Sequence, residues 1–358
     1  MARKMTIANE ALFKKLKVVL PQELQHSQRE ISHWIQSSND EKNWLKNAKI
    51  EKDDHFDFDK INKIAIASLN GDQYLICSGL QPNLPSEDFE YHPLNSGIFI
   101  ATIVDLDIQP LIREDTHFEL AENIFIPILD YVTTGIEHSL TSIEKYFPKI
   151  SLYKIPQKSP FRKLTPALAR IGLFVTTKCR ELHHLNWSEA GLETARVSST
   201  LDIEIFPYEL ILRAITERKW THAFLEAYRA IEFLYPLPKI NELKSKLKSD
   251  LPIQEISELI EDTLGWRPTE EGALQGLFKN LPANLHSDFG VSFNLDKNNL
   301  PDSKKIATMI YKLRNDCVHF RPAQKTSALA STVNWQLLLQ TMLGTADFCY
   351  RQQMTANK

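Results

Sequence analysis

Arg314 and His319, with Asn315 between them in the run Arg314-Asn315-Asp316-Cys317-Val318-His319, are residues able to do acid–base and phosphate chemistry. An imidazole titrates near neutrality and can take up and release a proton at physiological pH. A guanidinium stays charged and offers a planar fork to two phosphate oxygens. The pair suits phosphodiester cleavage without metal. That reaction removes a proton from the attacking hydroxyl, steadies the crowded phosphate and returns a proton to the leaving oxygen. A ribose 2′-hydroxyl as nucleophile makes the substrate RNA and not DNA.

The spacing alone carries little weight in a chain with 11 His and 14 Arg. Its surroundings add to it. From residue 304 to 325, Lys304, Lys305, Lys312, Arg314, Arg321 and Lys325 face only Asp316, a balance of +5 in a chain of net charge −3. Such a patch attracts an RNA backbone. A solvated helix face with cations near the helix C-terminus gives the same pattern. Structural roles also fit: Arg314 can pair with an acid such as Glu232, and His319 can cap the last carbonyls. Asn315 can orient His319, touch phosphate or bond locally to backbone. Asp316 reads as a surface ion-pair partner, and Cys317, on an apolar stripe, as core and not nucleophile.

The element that must position these groups is a helix from Asp302-Ser303, which can cap it, to about His319, before Pro322. Its stripe is Ile306, Met309, Ile310, Leu313 and Cys317. Residues five apart differ by about 140° on a helix, so Arg314 and His319 point apart, whereas Asn315 and His319 share a face. A catalytic use therefore needs Arg314 to reach around, or a second copy. Helix is expected throughout from Pro207: Tyr208 to Tyr235 with Phe224, Ala227, Tyr228, Ile231 and Leu234 on one stripe, Ile253 to Leu264 closed by Gly265, and Ser331 to Arg351.

Upstream the texture differs. Leu12, Phe13, Leu16, Val19 and Leu20 predict a helix stopped by Pro21, and Ile31, Trp34 and Ile35 a second amphipathic stretch. Lys42 to His55 reads as a solvated linker. Ile61 to Ala67 and Tyr74 to Cys77 predict strands joined at Asn70-Gly71, and Gly97 to Val104 another. Gln81 to Pro93 reads as a surface loop, and Phe118 to Tyr146 as helix. Phe174 to Thr177 and Leu201 to Ile205 are candidate strands in a Pro-interrupted region. The expected architecture is an α+β domain with a small antiparallel sheet over residues 1–204, followed by an all-α domain over 205–358.

The stretch Ile310 to His319 resembles the signature helix of HEPN domains (higher eukaryote and prokaryote nucleotide-binding). Phe224 to Pro236 resembles the long first helix of the Apea-like subgroup. The two come in the family's order, and residues 1 to 200 resemble no known family. A Gly often follows the motif His in the family; here it is Phe320. The resemblance implies an HEPN-type helical bundle that often dimerises. It also implies metal-independent endoribonuclease activity in many members, in toxin, stress-response and phage-defence systems, and binding alone in others. It marks Arg314, His319 and Asn315 as catalytic and Lys304, Lys305, Lys312, Arg321 and Lys325 as RNA-binding. The expected partners are RNA, a second copy, and an antitoxin or trigger protein sensed by residues 1–204. No metal or cofactor is expected.

Composition narrows the alternatives. Hydrophobic residues at 43% and charged residues at 24% suit a globular chain. Net charge −3 excludes an overall basic coat. Cys77, Cys179, Cys317 and Cys349 are scattered without a CxxC pair, against a zinc ribbon or a disulfide scaffold. Arg180, His183 and His184 cluster, but no acid or Cys at suitable ligand spacing completes a metal site, apart from Cys179. Trp187 and Trp266 read as core or interface. P-loop, GxGxxG and GxSxG signatures are absent. No apolar run reaches signal-peptide or membrane-spanning length, and a cytoplasmic location is expected.

Overall fold

In the computed structural model, Asn70 and Gly71 have φ of 52° and 83°. These are the two positive values a two-residue hairpin turn of type I′ requires. They join β3 (Lys63–Leu69) to β4 (Asp72–Ser78), with Leu69 opposite Asp72. The structure describes residues 3–22, 31–112, 116–125, 135–162, 168–201, 203, 205–265, 269–295, 302–318 and 328–356. They divide into two units, Met1–Cys179 and Arg180–Lys358.

The first unit is α+β. Its five-stranded antiparallel sheet has the order β2-β3-β4-β7-β5, with β2 at Lys49–Asp57, β5 at Glu90–His92 and β7 at Ile150–Ile155. Ala65, Ala67, Tyr74, Ile76 and Leu152 share a core with α1 (Met5–Val18), α2 (Asn39–Asn47) and α3 (Ser96–Asp105). The alternate residues Ile64, Ile66, Leu75 and Cys77 are equally buried, so both sheet faces are covered. Phe174 of α4 (Leu168–Lys178) stacks against Phe89 and Phe161.

Several expectations change here. Gly97 to Val104 is helix α3, buried on all sides, and Asn95 Oδ1 accepts the Ile98 N–H at 3.0 Å. Phe174 to Thr177 lies inside helix α4. Both are unbroken apolar runs, for which periodicity does not separate a strand from a buried helix. Lys42 to His55 is no linker: it holds most of α2 and of β2. A capping box starts α2, with Ser38 Oγ accepting from Glu41 N and Glu41 Oε2 accepting from Ser38 N at 2.7 Å. Trp34 and Ile35 belong to β1 (His33–Ile35), which pairs in parallel with β6 (Ile136–His138). Expected helix between Phe118 and Tyr146 is thus interrupted, and residues 126–134 lie outside the described residues. Leu201, Ile203 and Ile205 are not in a strand.

The second unit is helical: α5 (Glu189–Thr200), α6 (Tyr208–Thr216), α7 (Trp220–Glu232), α8 (Leu237–Leu247), α9 (Ile253–Leu264), α10 (Glu270–Phe278), α11 (Ala283–Ser292), α12 (Ser303–Val318) and α13 (Trp335–Ala356). The stretch Tyr208 to Tyr235 is two helices and not one, because Glu217 takes extended backbone (ψ 153°) and α7 folds back along α6. Tyr350 of α13 is buried and donates to Ala230 O of α7 at 2.9 Å. Ser198 Oγ of α5 donates to Asp347 Oδ1 of α13 at 2.8 Å. A boundary at 204/205 would separate α5 from the helix it packs on. Among the described residues no helix is long and apolar enough to cross a membrane.

Two predictions follow from the first unit. A Cβ on Gly97 would stand 1.8 Å from Glu41 O and 2.9 Å from Leu45 N, where α2 crosses α3. Gly97→Ala should cost about 1–3 kcal/mol or more by overpacking, read from urea melts. His33 Nδ1 and His138 Nε2 lie 3.0 Å apart, with Phe13 and Phe125 against the rings. Burial, then His138 and Lys17, lower His33 to about 4, and burial lowers His138. Unfolded imidazoles titrate near 6.5. Between that pH and about 4 the unfolded chain binds more protons, so stability is lost as pH falls. Protection of the Gln36 and Ile136 amides, corrected for the intrinsic exchange rate at each pH, should fall from pH 7 to pH 4.5, and less so in His33→Phe.

Candidate functional site

Helix α12 forms as its stripe requires. Asp302 Oδ1 accepts the Lys305 N–H at 2.8 Å, and Ile306, Ala307, Ile310 and Leu313 are buried. The helix runs to Val318. His319, Arg321 and Lys325 lie outside the described residues, as does Trp266.

Arg314 sits at the edge of the buried face, its side chain 22% exposed, where α12 meets α7 and α10. Its Nη1 donates to Asn315 Oδ1 at 3.1 Å. Nη1 is 3.6 Å from Glu270 Oε2, and Nη2 is 4.0 Å from Glu232 Oε1. These are ion contacts longer than hydrogen bonds. The guanidinium also lies 5.8 Å over the Tyr228 ring. Tyr235 donates its hydroxyl proton to the Tyr228 hydroxyl at 2.8 Å. Burial pushes Tyr228 up to about 12, so both phenols are protonated at neutral pH. Burial and the neighbouring Glu270 raise the Glu232 carboxyl, and Arg314 opposes them. Among the described residues Glu270 Oε2 accepts no hydrogen bond. Thr308 Oγ1 donates to Glu271 Oε1 at 2.7 Å and fixes α12 to α10 beside this corner.

The arrangement can hold a cation against two carboxylates, or turn that cation to an incoming anion. Lys304, Lys305 and Lys312 are exposed on α12. Lys312 is about 160° around the helix from Arg314, and Lys304 and Lys305 are roughly 14 Å along it. The structure brings Asn315 to Arg314 and leaves these lysines apart. Cys317 is half-buried, and burial, with Asp316, pushes its thiol up to about 11. Trp187 is buried and donates Nε1–H to Ile215 O at 3.1 Å, a structural role. Glu270, Tyr228 and Tyr235 escaped the reading of the sequence. Tyr228 lay on an apolar stripe, Tyr235 was read as the last residue of the same helix, and nothing local marks Glu270. Among the described residues no group of three or more His, Cys, Asp or Glu side chains could hold a metal ion.

Searches against family models, curated proteins and solved structures returned no match to this chain.

Arg314→Ala should destabilise the second unit by about 1–2 kcal/mol, because two part-buried carboxylates lose their counter-ion. Protonation removes that repulsion, so the loss should be largest at pH 7 and shrink below pH 5. Urea melts at the two pH values test this.

Proposed function

We propose that the second unit is an HEPN-type domain and that the chain is a metal-independent endoribonuclease of a phage-defence, toxin or stress-response system in the cytoplasm. The observation that carries this reading is the Arg314 guanidinium. It stands at the C-terminal part of α12 with one hydrogen bond, to Asn315, and two looser ion contacts. A fork so held keeps donors for phosphate oxygens. In this reading Arg314 stabilises the pentacoordinate phosphate and His319 moves the protons. Asn315, one turn before His319, orients it. RNA is the substrate. A second copy completes the site, Lys304, Lys305, Lys312, Arg321 and Lys325 draw the backbone in, and the α+β unit answers to an antitoxin or trigger.

A second reading is favoured by a specific contact. Glu232 and Glu270 already balance Arg314. A guanidinium so engaged suits a non-catalytic member of the same fold, binding a nucleotide or a protein.

The readings part in one experiment. In total RNA with EDTA, the first expects cleavage that Arg314→Ala and His319→Ala each abolish. It also expects Glu232→Gln/Glu270→Gln to tighten RNA binding several-fold, by removing the anions that compete for Arg314. Equal cleavage by wild type and both alanine variants would overturn the assignment of these residues. RNA binding without cleavage supports the second reading.

A further inference from the structure

Helix α9 is amphipathic, yet only part of its apolar face is covered. Ile256, Leu259, Ile260 and Leu264 span an arc of about 140°. Helix α8 is the element that packs against α9. Of the described α9 side chains only Ile256 is buried; Leu259 is 51% and Leu264 72% exposed. Leu247, at the end of α8, is 64% exposed. Between the two helices runs a groove of about 290 Å³ floored by Ile240, Leu243, Ile260 and Leu264. A helix of this length is marginal in water unless its apolar face is packed, and a contiguous exposed apolar face marks an interaction surface.

Charge says what packs there. Helix α8 carries Lys239, Lys244 and Lys246 against one acid, Glu242. Helix α9 carries Glu255, Glu258, Glu261 and Asp262 and no Lys or Arg. The hairpin is thus a basic rod beside an acidic rod with an apolar seam between. A two-fold axis that lays α8 of one copy on α9 of another also lays α9 on α8, so both contacts are favourable at once. Pairing α8 with α8 would set lysines against lysines.

We propose that the α8–α9 hairpin is a self-association surface, occupied by the same hairpin of a second copy with α8 against α9 of the partner. The surface shares no residue with the Arg314 corner, and the proposal stands whether or not the chain cleaves RNA.

The test is the mass of the full chain in solution by light scattering and sedimentation over a concentration series. Wild type should dimerise, less tightly at high salt. Leu259→Glu/Leu264→Glu, at exposed positions, should raise the dissociation constant at least tenfold with an unchanged far-ultraviolet spectrum. Two charge-reversed variants, Glu255→Lys/Glu258→Lys and Lys244→Glu/Lys246→Glu, should each be monomeric alone and form a dimer when mixed. The mixture restores opposite charges at both contacts. A wild type monomeric at every concentration, a dimer that survives the leucine substitutions, or variants that do not pair on mixing would overturn the proposal.

Discussion

Two carboxylates cannot share a half-buried corner without a cation. Glu232 at the end of α7 and Glu270 at the start of α10 face the same space, and burial together with Glu270 raises the cost of ionising Glu232. Arg314 supplies the missing charge from α12. The face of Tyr228 and the carbonyl oxygen of the Asn315 side chain hold the guanidinium from two further directions. Three helices from distant parts of the chain therefore converge on one side chain. Phe224 of α7, Phe278 of α10 and Ile310 and Leu313 of α12 are fully buried, and α12 packs on both α7 and α10. The ionic corner specifies which polar residues stand at their junction.

The legibility of each part follows from how local its causes are. Helix α12 could be read from its cap, its stripe and the proline beyond it, all within twenty residues. The turn at Asn70-Gly71 could be read from two residues, because positive φ at both is nearly a signature of those types. Gly97 to Val104 misled through its β-branched composition. Burial on every side removes the alternation by which a strand is recognised. The cap at Asn95 was the one local sign of helix. The charged stretch after Ser38 misled in the opposite way, since its polarity hid a capping box.

The site was legible in part for the same reason. Arg314 and Asn315 stand out as residue types on a helix, and Glu232 could be named as an acid able to pair with Arg314. Glu270 could not. Its nearness to Arg314 is a product of α10 packing on α12, and a lone Glu at a helix start is most simply explained by the helix dipole. Tyr235 sits past the end of α7, where the chain turns toward Pro236, and only the folded turn brings its hydroxyl back to Tyr228.

The charge at this corner bears on any reading in which Arg314 grips a phosphate. One guanidinium faces two carboxylates, so an anion entering beside a single copy meets more repulsion than attraction. The exposed lysines of α12 stand across the helix from Arg314 or more than two turns along it, and draw a polyanion toward the protein without delivering it to Arg314. Two routes restore a favourable balance. Glu232, whose carboxyl is already biased toward its protonated form, can lose its charge as phosphate arrives, or cations can come from a second molecule. The angle that the sequence spacing predicts between Arg314 and His319 leads to the second route, and the charge count reaches it independently. In the proposed nuclease, dimerisation is then a condition of phosphate binding, before any proton is moved.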